Sequence, residues 1–252
     1  MLSFQSVSLH FGGIAALEDV TFDVPDGGAC GLIGPNGAGK TSLFNCVTRV
    51  YRPSSGHIVL DGEDLLRVPA HRIAAKGVSR TYQNLALFPT MTVLENTVMG
   101  AHSRSTPGYL RSLSGLLGVR KDRIGFEDEA MEILGSLQLD HLAHRRAVGL
   151  PFGTLKRIEL ARAVMGRPRV LLLDEPAGGL TREEVSELGE TILAVREQYG
   201  LSILMVEHHL GMVAQVCDYL VALNFGHVLV QGDPDEVRAH PDLIRAYVGG
   251  ES

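Results

Sequence analysis

Residues 34–41 read Gly34-Pro35-Asn36-Gly37-Ala38-Gly39-Lys40-Thr41, the pattern G-x-x-x-x-G-K-[ST]. The pattern limits the fold because it works only as a tight loop between a buried strand and the start of a helix. Its glycines let the backbone curl until successive N–H groups face one anion. Lys40 adds a point charge, and the Thr41 hydroxyl is a candidate Mg²⁺ ligand. The flanks agree. Ala29-Cys30-Gly31-Leu32-Ile33 is a short apolar run suited to a buried strand, and Leu43, Phe44, Val47 and Val50 recur at helical spacing. A helix opening out of this loop turns its N-terminus toward the phosphates. The candidate nucleotide-binding residues here are Gly34, Pro35, Asn36, Gly37, Ala38, Gly39, Lys40, Thr41 and Ser42.

A second acidic element completes such a site. Leu171-Leu172-Leu173-Asp174-Glu175 reads as an apolar strand ending in two carboxylates. Carboxylates buried at a strand end need a cation nearby. Asp174 is the candidate Mg²⁺ residue and Glu175 the candidate general base for an attacking water. A third apolar run, Ile203-Leu204-Met205-Val206, ends in Glu207-His208. In a parallel sheet all three strand ends fall on one edge, where ligands bind in open α/β folds. His208 is then in reach of a γ-phosphate or of the water. Gln83, in Arg80-Thr81-Tyr82-Gln83, is a neutral donor and acceptor that can touch Mg²⁺ or water.

The remaining pattern divides the chain. The first sixty residues are β-rich, with Val20, Phe22 and Val24 alternating and His57 to Leu60 running into Asp61-Gly62. Thr92 and Glu95 predict a capping box and a helix to about Met99. Residues 102–125 predict a mobile or partly helical insertion, and Phe126 to Leu137 returns to helical spacing. Ile158, Ala161 and Met165 mark another helix. Val185, Leu188, Ile192, Val195 and Tyr199 mark a long amphipathic one. A hairpin is expected across Asn224-Phe225-Gly226-His227, a short helix after Asp233-Pro234, and a last helix from Leu243 to Val248. The fold class is therefore α/β: a phosphate-loop (RecA-like) core with an N-terminal antiparallel β subdomain and an inserted α-helical lobe. One domain over residues 1–252 is expected, with the core at about 1–84 and 160–252 and the lobe at about 85–159.

Composition narrows the function. A net charge of −6 argues against a general nucleic-acid binder. The three cysteines, Cys30, Cys46 and Cys217, are far apart inside apolar segments and read as core residues in a reducing compartment. No signal peptide is read at the N-terminus. No apolar run approaches the ~20 residues needed to span a bilayer.

These elements, in this order, resemble the ATP-binding subunits of ABC transporters along nearly the whole chain. The resemblance implies ATP and Mg²⁺ as ligands, adenine stacked on Phe11, a Q-loop at Gln83 and a switch histidine at His208. It also implies Mg²⁺ ligation by Thr41, Gln83 and Asp174, with Glu175, His208 and Gln83 as the catalytic set. The family's signature, usually LSGGQ, corresponds to Leu150-Pro151-Phe152-Gly153-Thr154. Pro151 takes the serine position and Thr154 the glutamine position. Gly153 is kept and is a candidate contact to the nucleotide on the opposite subunit. Thr181 stands where the family's D-loop aspartate is expected. Phe11-Gly12-Gly13, Arg80 to Asn84, Met91 to Asn96 and Leu223 to Gly226 resemble the importers of branched-chain amino acids and related small polar solutes. Implied partners are a second ATPase subunit (hetero- or homodimer), two transmembrane permease subunits and, indirectly, an extracytoplasmic solute-binding protein. The implied location is the cytoplasmic face of the inner (plasma) membrane, with Leu85, Leu87, Phe88 and Met91 offered to a partner helix. Open alternatives are the ATPase of a urea or amide importer, of a lipid or lipopolysaccharide exporter, a non-transport ABC ATPase, and a small phosphate-loop kinase.

Overall fold

The structure is a computed structural model that describes residues 1–83, 85–104 and 118–248. Most of the expected insertion at 102–125 lies outside the described residues. Two sheets organise the rest. The N-terminal sheet is antiparallel with strand order β2-β1-β4-β5. It comprises β1 (Leu2–Phe11), β2 (Ile14–Val24), β4 (Ser55–Leu60) and β5 (Glu63–Asp64). The second sheet has order β10-β9-β3-β8-β7-β6 and is parallel except for its β10 edge. Its strands are β3 (Ala29–Ile33), β6 (Val78–Arg80), β7 (Val170–Asp174), β8 (Ser202–Val206), β9 (Tyr219–Asn224) and β10 (His227–Gly232).

β3, β7 and β8 are buried along their whole length, as near-continuous apolar runs require in a sheet covered on both faces. Successive residues on β7 and β8 serve opposite layers. Leu171, Leu173, Ile203 and Met205 join one core cluster with Ile158 and Ile192. Leu172 and Leu204 join the other with Phe4, Phe22 and Phe44. The parallel sheet is thus the wall between the antiparallel sheet and the helices beyond.

Helix α1 (Lys40–Val47) follows β3. Val50, expected on its buried face, is exposed beyond its end. The helix stops at Thr48, whose N–H bonds back to Phe44 and Cys46, and Arg49 turns the chain out at φ 63°. The lobe contains α2 (Val93–Val98), α3 (Gly118–Ser136) and α4 (Phe152–Met165). The Thr92–Glu95 capping box forms as expected, with both reciprocal bonds present. α4 runs unbroken past residue 159, so lobe and core share it. Then come α5 (Arg182–Tyr199), α6 (Leu210–Val216), α7 (Pro234–Arg238) and α8 (Pro241–Val248). The hairpin turns at Phe225-Gly226, and the Asp233 carboxylate accepts the Asp235 N–H at the start of α7. All three cysteines are buried and free.

Candidate functional site

β3 delivers the chain into the phosphate loop, which curls by left-handed backbone. Gly34 has φ 144° and Gly39 φ 104°. A Cβ on Gly34 would lie 2.1 Å from the Leu223 carbonyl oxygen, and one on Gly39 2.6 Å from the Ala16 carbonyl oxygen. No other residue fits either place. Lys40 is buried, and its Nζ donates to the Gly34 and Pro35 carbonyls at 2.7 and 2.9 Å. Burial holds the Lys40 ammonium below its ordinary value, opposed by the nearby Glu175 charge. The loop is therefore closed around a cation.

β7 ends in Asp174, whose carboxylate is nearly enclosed. Arg80 Nη2, at the end of the neighbouring β6, donates to Asp174 Oδ2 at 2.6 Å, with side chains 7% and 6% exposed. The guanidinium also donates to Asn45 Oδ1 of α1 at 2.8 Å and lies 5.4 Å from the Phe44 ring and 5.2 Å from the Tyr82 ring. Two rings and the oxygens on its Nη1 and Nη2 hold it in place, while its buried Nε has no partner among the described residues. Arg80 supplies the cation that the buried Asp174 requires.

Glu175 turns away from the strand at φ 47°, an uncommon backbone for a carboxylate residue. Its N–H donates to the Val206 carbonyl at 2.9 Å, tying the turn to β8. Its two oxygens meet the other two predicted residues. Gln83 Nε2 donates to Oε2 at 2.7 Å, and His208 Nε2 lies 3.1 Å from Oε1. An ionised carboxylate only accepts, so this pair requires the proton on His208 Nε2. Gln83, Glu175 and His208 come from three separate strand ends and converge on one point. The structure brings together the trio that the sequence suggested.

The other predicted residues lie as follows. Phe11 is 46% exposed at the tip of the β1–β2 hairpin, edge-on to Tyr51 at 5.0 Å. The same hairpin supplies Ala16, whose carbonyl abuts Gly39 and seats the hairpin against the phosphate loop. Thr41 and Ser42 open α1. Gly153 sits in the first turn of α4, where a Cβ would lie 3.0 Å from Glu184 Oε1 of α5. Pro151 is the N-cap of α4 and offers no side-chain cap. Thr181 accepts the Glu184 N–H at 3.3 Å while Glu184 Oε2 accepts the Thr181 N–H at 2.9 Å. The residue in the aspartate's place is thus the N-cap of α5.

Several contacts were not legible in the sequence. Glu159 Oε1, on α4, accepts the Tyr82 N–H at 3.2 Å, and Arg162 one turn later donates to the Ala86 carbonyl. This pair grips the backbone on both sides of Gln83. Burial raises the Glu159 carboxyl above its ordinary value, opposed first by the Tyr82 N–H. Tyr247 of α8 accepts the Gly34 N–H through its hydroxyl at 3.0 Å, so the last helix is strapped to the phosphate loop. A cavity of about 710 Å³ lies between that helix and the loop, lined by Asn36, His208, Phe225, Arg245 and Tyr247 among others. A cation three residues before Gln83 was the one available signal for Arg80. Tyr247 gave none.

A phosphate loop, an acidic strand tip and a histidine on the next strand define a phosphate-loop nucleotide-binding protein with a helical lobe. Comparison with known proteins sharpens the class. The family pattern described as ABC transporter matches residues 17–178. The chain is 39% identical to the high-affinity branched-chain amino acid transport ATP-binding protein BraF of Pseudomonas aeruginosa, over 99% of this chain and 98% of that protein. It is 37% identical to the corresponding LivG protein of Escherichia coli, over 99% and 98%. Among solved structures it superposes with TM-score 0.86 on an ATP-binding cassette of an ABC transporter in its ADP conformation, at 28% identity over 99% and 98% of the two chains. The chain belongs to the ABC transporter family of ATP-binding proteins.

Proposed function

We propose that this chain binds and hydrolyses Mg-ATP as the ATPase subunit of an importer for branched-chain amino acids or related small polar solutes. The observation that carries this reading is the convergence of Gln83 and His208 on Glu175, beside a buried Asp174 and the Lys40 loop. The relatives named for branched-chain amino acid transport supply the solute class.

The residues present suit Mg²⁺. Thr41 hydroxyl, Gln83 amide and Asp174 carboxylate are hard oxygen donors, few enough to leave positions for phosphate oxygens and waters. Bound there, Mg²⁺ neutralises phosphate charge. The chain's own residues do the rest. Lys40 and the loop N–H groups hold the polyphosphate. Phe11 offers a half-exposed ring to the base. Glu175 accepts a proton from the attacking water through a lone pair that Gln83 and His208 leave free. Gln83 connects the Glu175 site to a segment that Glu159 and Arg162 tie to α4.

The partner surfaces follow from the same reading. A groove of about 440 Å³ lies between the core and the lobe, lined by Tyr82, Phe88, Met99, Arg80 and Arg162 among others. Of the four apolar residues expected to seat a permease helix, Phe88 lines it; Leu87 packs against the core instead. Tyr82 and Met99, both exposed, replace the others. No helix among the described residues is long and apolar enough to cross a membrane. In this reading the chain reaches the membrane through two permease subunits and pairs with a second ATPase subunit, its Gly153 turn facing that partner's nucleotide.

The test is reconstitution with the co-purifying membrane subunits in vesicles. ATP-driven uptake of labelled leucine or valine is expected. Uptake of urea or an amide alone would move the solute class, and co-purification with nucleic acid and no membrane subunit would overturn the transport reading.

A further inference from the structure

Glu207 stands between β8 and His208 and is 3% exposed. Its Oε1 accepts the Ala177 N–H at 2.7 Å. Its Oε2 accepts the N–H groups of His208 and His209 at 2.7 and 2.8 Å. One carboxylate therefore binds two separate main-chain segments. The first carries Glu175, two residues before Ala177, in its left-handed turn. The second carries His208. These are the segments whose side chains meet at 3.1 Å.

Charge-assisted bonds to backbone N–H groups are short and directional, so they fix peptide planes rather than merely filling space. The Glu175 turn is an unusual backbone that persists only when its surroundings hold it. The Glu175 N–H bond to Val206 holds it from one side, and Glu207 holds it from the other. We propose that Glu207 is a positioning residue for ATP hydrolysis, setting Glu175 and His208 in register by gripping both backbones at once. The inference rests on Glu175 and His208 acting in hydrolysis, as argued above.

Glu207→Gln tests it in the complex with its partner subunits. The amide is isosteric, but its nitrogen donates, so one of the two segments loses its acceptor. Turnover should fall about 10- to 100-fold with KM for ATP within about twofold, because misalignment of reacting groups costs rate while the binding loop is untouched. A double-mutant cycle separates positioning from general support. In a His208→Ala background the same change should cost less than about threefold. An unchanged kcat, or a full-sized loss repeated in the His208→Ala background, would overturn the proposal. Should the Gln variant not fold, Glu207→Asp keeps both acceptors but shortens the reach by one methylene. It should lose turnover in the same pattern, and wild-type kcat in it would count equally against the idea. Full turnover by Glu175→Gln would instead bring down the parent reading and this inference with it.

Discussion

In the proposed reading the chain holds two half-sites that differ in how far they keep the family pattern. The strand-end half keeps the loop, Lys40, Asp174, Glu175, His208 and Gln83: Lys40 bonds the loop carbonyls, Asp174 bonds Arg80, and Gln83 and His208 both bond Glu175. The half at the start of α4 departs from it. Pro151 leaves the helix N-terminus without a side-chain cap or an N–H at that position, and Thr181 is engaged in capping α5. An interlocked cluster tolerates little change, because its members satisfy one another. An exposed helix start tolerates more. In the proposed assembly of two unlike ATPase chains, one composite site suffices to carry the turnover, and this reading assigns the loop half of this chain to it.

The sharpest way to break that contrast is Glu175→Gln. Turnover of the assembled complex should fall at least about 10³-fold with ATP binding intact, in the range expected when an essential catalytic group is removed. Single-turnover assays would show it. Arg80→Met should come next and act on stability. Removing one partner of a buried pair costs about 3–5 kcal/mol, because Asp174 is left charged and alone. Denaturant melts should show it, and the double change with Asp174→Asn should recover much of the loss. Lys40→Ala should weaken ATP binding about 100-fold, or about 2.7 kcal/mol, by calorimetry.

Glu159→Gln probes the link between the halves through pH. Its carboxyl titrates above the ordinary 4.5 in the folded chain because it is buried. Between 4.5 and that raised value the folded state binds more protons than the unfolded one, so wild-type stability falls as pH rises. The Gln variant lacks this dependence. Its advantage in Tm should be absent below pH 4.5, widen as pH rises through the window and stay constant above it. The smallest effect belongs to the departing half. Pro151→Ser supplies an N-cap hydroxyl to α4 and should stabilise the chain by about 0.5–1 kcal/mol. It should leave turnover within about threefold, since the complete half carries it.

Local pattern reached most of the site. The phosphate loop, the strand ending at Asp174-Glu175 and the Thr92 capping box are each written within a few adjacent residues, and they formed as read. The Glu175–His208 meeting followed from one topological rule, that parallel strand ends share an edge, and Gln83 joins them from just beyond β6. What could not be read depends on strand order and long-range contact. Arg80 reaches Asp174 only because β6 lies beside β7. Tyr247 reaches Gly34 across a sequence separation of 213 residues. Val50 kept the helical period but fell beyond the end of α1, because spacing does not show where Arg49 turns the chain. The groove is a similar case: Leu87, offered to a partner helix on sequence, packs against the core, and Met99 lines the groove.

A crystal structure of Glu175→Gln with Mg-ATP addresses the central claim most directly. The account predicts a triphosphate cradled by residues 34–41, the metal beside Thr41 and Asp174, and Gln83 and His208 at its γ end. A nucleotide bound elsewhere on the chain, or none at saturating ATP, would contradict it.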